Sequence, residues 1–177
     1  MTCIVGLIDQ DTIYMGGDSA ASDLYRILPV TQPKVFIREN IIFGYTTSFR
    51  MGQLLEHTLI IPRHDPAVSD MSYLVGIFIN AVRGCLRDGG YLSKTNEVES
   101  SGQFLIGYRK KLYTIHSDLS VIESGYPYAS VGSGSDVATG ALYALDGSPP
   151  IERVQRALEA AEAHVPTVWR PFYIKEL

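Results

Sequence analysis

Thr2, Asp18 and Lys34 are the most chemically suggestive residues of the chain. A threonine hydroxyl is a poor nucleophile unless a base sits beside it. If the initiator Met1 is removed, Thr2 gains a free α-amino group, whose ordinary pKa is about 7.7–8.0. A base of that strength, fixed on the same residue as the hydroxyl, suits proton transfer near neutral pH. A lysine beside Thr2 would favour loss of the hydroxyl proton and depress the pKa of the amine, and an aspartate would hold that lysine in place. Each residue also has a plainer reading. By position alone Thr2 is better read as a β-branched residue opening a strand. Asp18 and Lys34 alone suit a surface salt bridge worth about 0–1 kcal/mol. Spacing does not separate these readings.

The elements that would bring the three together are strands. Thr2–Ile8 and Thr12–Asp18 are apolar and rich in β-branched residues, with Asp9, Gln10 and Asp11 between them, which is a hairpin signal. Asp18 then ends a strand paired with the first, so its side chain can lie near the chain start. Lys34 opens the next hairpin, Lys34–Ile37 and Ile41–Thr46, turned at Arg38, Glu39 and Asn40. Ser48 suits an N-cap for a helix to about Leu59 carrying Met51, Leu54 and Leu55 on one face. His64–Asp70 reads as a loop. Leu74, Ile77, Phe78, Ala81, Val82, Cys85 and Leu86 recur at helical spacing, and Gly89 and Gly90 stop that helix.

Residues 91–102 are polar and read as a surface loop. Strands return at Gln103–Tyr108 and Leu112–His116 around a basic turn, and again at Tyr128–Val131. Gly132 to Asp136 form a strand-to-helix turn in which Ser135 or Asp136 is expected to cap a helix bearing Val137, Ala141, Leu142 and Leu145. Ser148, Pro149 and Pro150 introduce a last helix with Ile151, Val154, Leu158 and Ala161 inward. Phe172–Ile174 is a closing strand. Hairpin turns imply antiparallel sheets rather than parallel crossovers. Two sheets stacked face to face, with a helix pair outside each, bury every apolar face named here.

The 177 residues, 46% hydrophobic and 19% charged, fit one globular domain over 1–177. A formal net charge of -4 argues against an electrostatic grip on nucleic acid. Cys3 and Cys85 are neither a disulfide framework nor a CxxC pair. No secretory leader is read before the first strand, and no apolar run near it is long enough to cross a bilayer. A cytoplasmic location is therefore the expectation. His57, His64, His116 and His164 lack metal-ligand spacing and suit surface or packing roles. Cys3 should point away from Thr2 across its strand, and Cys85 should lie in the core. The glycines after residue 131 do not make a phosphate cradle, because Val137 stands where a third glycine is required.

Taken in order, Thr2, then Gly16-Gly17-Asp18-Ser19, then Lys34-Val35, then Gly132-Ser133-Gly134 resemble the pattern of proteasome β-subunits and the bacterial peptidase HslV. The likeness runs from Thr2 to the Glu176-Leu177 ending. Each piece is short, and the specificity lies in four of them recurring in order. The resemblance implies an α+β, four-layer αββα sandwich of two antiparallel sheets flanked by helix pairs, the N-terminal-nucleophile (Ntn) hydrolase fold. It implies a threonine-type peptidase that needs no metal or organic cofactor. Thr2 matches the nucleophile, Asp18 and Lys34 the activating pair, and Ser133 the serine beside the terminal amine. It also implies a homo-oligomeric ring, peptide or unfolded-protein substrates, and an ATPase partner.

Two departures stand out. After Gly44 the family has an alanine–glycine pair whose glycine N–H serves an oxyanion hole; here the residues are Tyr45, Thr46, Thr47 and Ser48. Thr47 retains an N–H to donate, and its side chain would narrow the site. The family's aspartate and serine near the end of the C-terminal helix have no clear match, Glu162 and His164 being the groups at hand. Two rivals remain on the same fold: a catalytically silent ring or scaffold subunit, and an amidase acting on a small amide.

Overall fold

The computed structural model describes residues 2–22 and 26–177; Met1, on which processing of the N-terminus turns, lies outside them. The chain opens with the expected hairpin, β1 (Cys3–Asp9) and β2 (Thr12–Gly17), followed by a small hairpin, β3 (Ala20–Ser22) and β4 (Ile27–Pro29). β5 (Val35–Arg38) and β6 (Ile41–Tyr45) form the next hairpin. Helix α1 (Phe49–His57) follows, its first turn capped by the Ser48 hydroxyl accepting from the Arg50 N–H. Two-residue hairpin loops with positive φ at both positions match the right-handed twist of the strands. Arg109 (φ 46°) and Lys110 (φ 62°) make such a loop between the strands Phe104–Tyr108 and Lys111–Ile115.

A short helical turn α2 (Asp70–Ser72) runs through a π-helical stretch, Tyr73–Phe78, into α3 (Ile79–Asp88). The wider π turns rotate the buried face relative to a uniform α-helix. Leu74, Phe78, Ile79, Val82 and Leu86 are consequently buried, whereas Ile77, expected inward, is exposed. Residues 91–102 are not a plain loop. They hold the exposed hairpin β7 (Ser93–Thr95) and β8 (Val98–Ser100), whose polar strands offer no apolar alternation to read. Then come β9 (Phe104–Tyr108), β10 (Lys111–Ile115), β11 (Val121–Glu123) and β12 (Tyr128–Gly132). Helices α4 (Ser135–Ala144) and α5 (Pro150–His164) and strand β13 (Tyr173–Glu176) complete the chain. Gly134, with no side-chain bond, occupies the N-cap of α4, so neither Ser135 nor Asp136 caps it. Pro150 enters α5 in its first turn, where a missing N–H costs nothing. Ile151, expected inward, is exposed there.

Apart from the β3–β4 and β7–β8 hairpins, the described strands form two antiparallel sheets, β12-β1-β2-β13 and β11-β10-β9-β6-β5. Alternation along β1 explains how the first sheet is covered. Cys3, Val5 and Leu7 share one cluster with Ala138 and Leu142 of α4 and Val154, Ala157, Leu158 and Ala161 of α5. Ile4, on the opposite side of the strand, joins Ile13, Met15, Val35, Ile42 and Leu105, a cluster drawn from both sheets. The outer face of the second sheet, with Phe43, Phe104 and Ile106, shares a third cluster with Leu55 of α1 and Val82 of α3.

Gly44 of β6 faces Ile4 and Met15 of the other sheet. A Cβ there would collide with Ile4 Cγ2 and meet Met15 Sδ at 2.9 Å. Ile4 is β-branched and cannot swing aside. Gly44→Ala should therefore destabilise the fold by about 1–3 kcal/mol, read as a lowered urea midpoint with unchanged slope.

Candidate functional site

Thr2 lies one residue beyond the ends of three paired strands. Cys3 is registered with Gly132 of β12, and Ile4 with Gly17 of β2. Asp18, the residue after β2, extends that ladder through its side chain and its backbone. Its N–H donates to the Cys3 carbonyl at 3.2 Å, and its Oδ1 accepts from the Cys3 N–H at 3.0 Å. Oδ2 accepts from the Ala20 N–H at 2.9 Å. The carboxylate is thus fixed by two backbone donors before any cation approaches. Lys34 stands immediately before β5, its carbonyl accepting from the Tyr45 N–H at 3.1 Å, so the second sheet sets its position.

The Lys34 ammonium spans the two sheets. Nζ donates to Thr2 Oγ1 at 2.8 Å, to both Asp18 carboxylate oxygens at 3.1 Å, and to the Ala20 carbonyl at 2.6 Å. Thr2, Asp18 and Lys34 are all buried. An ammonium has three protons, so the oxygens of Asp18 share one of them. Burial pulls the Lys34 pKa below that of a free lysine, and the Asp18 carboxylate opposes that shift. With Nζ donating to it, Thr2 Oγ1 keeps its own proton free for a nearby base, and the positive charge favours the alkoxide.

Ser133 is the third sequence-predicted contact, and it is present. Its Oγ accepts from the Thr2 N–H at 3.2 Å and donates to the Thr2 carbonyl at 3.3 Å. Gly132, at φ 100°, makes this approach feasible, since a Cβ there would strike the Thr2 carbonyl oxygen. A hydroxyl has one proton and two acceptor sites. With Ser133 donating to the Thr2 carbonyl and accepting from the Thr2 N–H, one acceptor site remains. Thr167 Oγ1, 3.0 Å away, fills it as donor. Thr167 was not found from the sequence. It follows α5 in a short irregular segment, where no periodicity assigns its direction. Glu162 and His164 do not take this place. Glu162 binds the Arg170 N–H at 2.9 Å and the Arg170 guanidinium on both carboxylate oxygens, and His164 is exposed.

Thr47 lines a cleft of about 80 Å³ together with Thr2, Ala20, Lys34 and Phe49. Its φ is 66°, the left-handed region, which a β-branched residue adopts only at a cost and where its surroundings dictate it. The surroundings are visible. Thr47 Oγ1 accepts from the Gln103 N–H at 3.2 Å and lies 3.1 Å from Thr46 Oγ1. These bonds draw the side chain toward β9. Among the described residues no acceptor is found for the Thr47 N–H. Phe49, also missed from the sequence, places its ring 5.7 Å below Lys34 Nζ, a cation–π contact.

Other candidates fall away. The Cys3 side chain packs on the helix-covered side of β1, and burial, aided by Asp18 and opposed by Lys34, pushes its thiol up to about 12. Such a thiol is inert near neutral pH. Cys85 is partly buried against the core. His64 is a packing residue, stacked 4.2 Å from the Tyr73 ring and bonded to the Tyr108 hydroxyl and the Val68 carbonyl. Among the described residues no cluster of three His, Cys, Asp or Glu could hold a metal, and no helix is long and apolar enough to cross a membrane.

No protein-family model matches the chain, and no curated protein matches it in sequence. Solved structures do match over nearly its whole length. Thiobacillus denitrificans BPH in complex with epoxomicin superposes with a TM-score of 0.83 at 18% identity, over 99% of this chain and 98% of that one. HslV from Trypanosoma brucei gives 0.70 at 16%, over 99% of both chains. Anbu, an ancestral beta-subunit from Yersinia bercovieri, gives 0.67 at 13%, over 99% of this chain and 81% of its own. The chain therefore shares its fold with these structures, HslV and the ancestral beta-subunit among them.

The buried pair has a measurable cost of disruption. Lys34→Met leaves the Asp18 carboxylate buried without its cation and should destabilise the fold by about 3–5 kcal/mol in urea unfolding. Combining it with Asp18→Asn should recover part of that loss, making the double variant less unstable than the sum of the two single ones.

Proposed function

We propose that this chain is a threonine-type Ntn hydrolase that cleaves amide bonds in peptides or unfolded proteins. In this reading residues 1–177 are one domain, an αββα sandwich. The observation that carries the reading is the contact of a buried, aspartate-held ammonium with the Thr2 hydroxyl at 2.8 Å. A surface salt bridge would not be buried, and a residue merely opening a strand would not need its hydroxyl met by a cation. The likeness of fold to a protein solved with epoxomicin, a peptide epoxyketone, supports the same class of chemistry.

The geometry supports the following steps. Loss of Met1 frees the Thr2 α-amine, which takes the Oγ1 proton as Oγ1 attacks the substrate carbonyl. Lys34 stabilises the oxygen as it loses that proton, and Asp18 orients Lys34. The Thr47 N–H donates to the oxyanion of the tetrahedral intermediate. Collapse breaks the C–N bond, and the α-ammonium returns its proton to the leaving amine. Water, deprotonated by the same amine, then hydrolyses the ester on Thr2 and restores the hydroxyl. Ser133 and Thr167 hold the amine in register throughout. No metal or organic cofactor enters these steps. The working form is a homo-oligomeric ring in the cytoplasm, fed by an ATPase.

Turnover of a panel of fluorogenic peptide amides by the processed protein tests this. Activity should vanish in Thr2→Ala and fall about 10²–10⁴-fold in Lys34→Ala, with Asp18→Ala similarly impaired. Equal turnover by wild type and Lys34→Ala overturns the assignment. Release of amine from a compact amide without peptide cleavage identifies the small-amide enzyme, and no turnover by a chain beginning at Thr2 identifies the silent subunit.

A further inference from the structure

The segment between α5 and β13 touches both halves of the site. On one side Thr167 Oγ1 meets Ser133, the partner of the Thr2 N–H. On the other, the Trp169 carbonyl accepts from the Ser19 N–H at 3.0 Å, and the Pro171 carbonyl accepts from the Ser19 hydroxyl. Ser19 is fully buried and joins Asp18 to Ala20, two of the three residues that bind Lys34 Nζ. One short segment therefore braces the amine side and the ammonium side together.

What fixes the segment is equally specific. Val168 buries its side chain among Cys3, Ala161 and their neighbours. Two residues on, Arg170 is tied to α5 by Glu162: Oε1 accepts from the Arg170 N–H at 2.9 Å, and both oxygens accept from the guanidinium, at 3.1 Å and 3.0 Å from Nε and 2.6 Å from Nη2. A planar guanidinium meeting both oxygens of a carboxylate fixes orientation as well as distance. The Arg170 guanidinium also lies 5.8 Å over the Phe172 ring. The Glu162 side chain is mostly covered although Arg170 is exposed, so the carboxylate is the anchored partner. An ordinary surface pair would not bind the partner's backbone N–H as well.

We propose that Glu162, acting through Arg170, is the positioning residue that holds the 165–171 segment against Ser133 and Ser19 and so keeps the Thr2 amine and the Lys34 ammonium in register. The inference rests on the hydrolase reading for its kinetic consequence, and on the fold alone for its structural one. Neither Glu162 nor Arg170 touches Thr2, and the effect passes through hydrogen bonds of the segment. Misplacement of a reacting group by a fraction of an ångström lowers the rate far more than it lowers binding.

Two measurements on the full chain test it. With a cleaved peptide amide, Glu162→Gln should lower kcat about tenfold with KM within twofold, and Arg170→Lys should do the same because lysine lacks the two-pronged contact. Glu162→Asp should regain part of the loss. In a Thr167→Val background, Glu162→Gln should add less than it does alone. The second measurement needs no turnover. Amide hydrogen exchange at Ser19 and Arg170 should accelerate about tenfold or more in Glu162→Gln, while strands β1 and β9 stay protected. Unchanged exchange at Ser19 overturns the proposal, as does a kcat equal to wild type. A wild-type chain with no turnover removes the hydrolase reading, and the exchange result still decides whether Glu162 positions the segment.

Discussion

Everything at this site depends on a lysine ammonium held in the interior. Lys34 Nζ is buried and meets Thr2 Oγ1, both oxygens of Asp18 and the Ala20 carbonyl. A charge so placed is tolerated only when its partners are fixed in advance. Asp18 is fixed by the Cys3 and Ala20 N–H groups, the first set by the β1–β2 ladder and the second by the β3–β4 hairpin. Lys34 is fixed by β5, which pairs with β6 in the other sheet. The contact between sheets therefore decides how far the ammonium stands from the hydroxyl. Gly44 permits that approach by leaving room for Ile4. Core packing and site geometry are here one constraint.

The surroundings of Thr2 divide into an ammonium side and an amine side. Thr47 belongs to the first by position, lining the same cleft as Lys34. Its positive φ marks backbone held against its own preference, with Gln103 and Thr46 as the groups that hold it. The amine side is built from hydroxyls alone: Ser133 meets the Thr2 N–H, and Thr167 completes Ser133. Glu162 and His164, the groups the sequence offered in place of the family's aspartate and serine, are not the ones that meet Ser133; Thr167 is.

Much of this was readable in the sequence because it is local. Thr2, Asp18 and Lys34 sit at the ends of strands whose apolar alternation is plain, and a hairpin brings strand ends together. The fold's two antiparallel sheets follow from the same hairpins. What could not be read was set by geometry that leaves no periodic mark. Thr167 reaches Ser133 from an irregular segment some 34 positions away. Ile77 faces out because π-helical turns shift the buried stripe, and the sequence shows only a uniform spacing. The hairpin at 93–100 is exposed on both faces, so nothing apolar announces it. Phe49 reads as a helix residue, yet its ring lies beneath the ammonium.

The central claim is that Thr2 is a nucleophile made ready by Lys34, and covalent capture addresses it most directly. The chain would be treated with epoxomicin and digested, and the adduct located by peptide mass mapping. The account predicts that Met1 is absent and that one inhibitor molecule is bound per chain on Thr2, with Cys3 and Cys85 unmodified and with no capture in Lys34→Ala. A processed chain beginning at Thr2 that takes no adduct, or takes it on a cysteine, would contradict it.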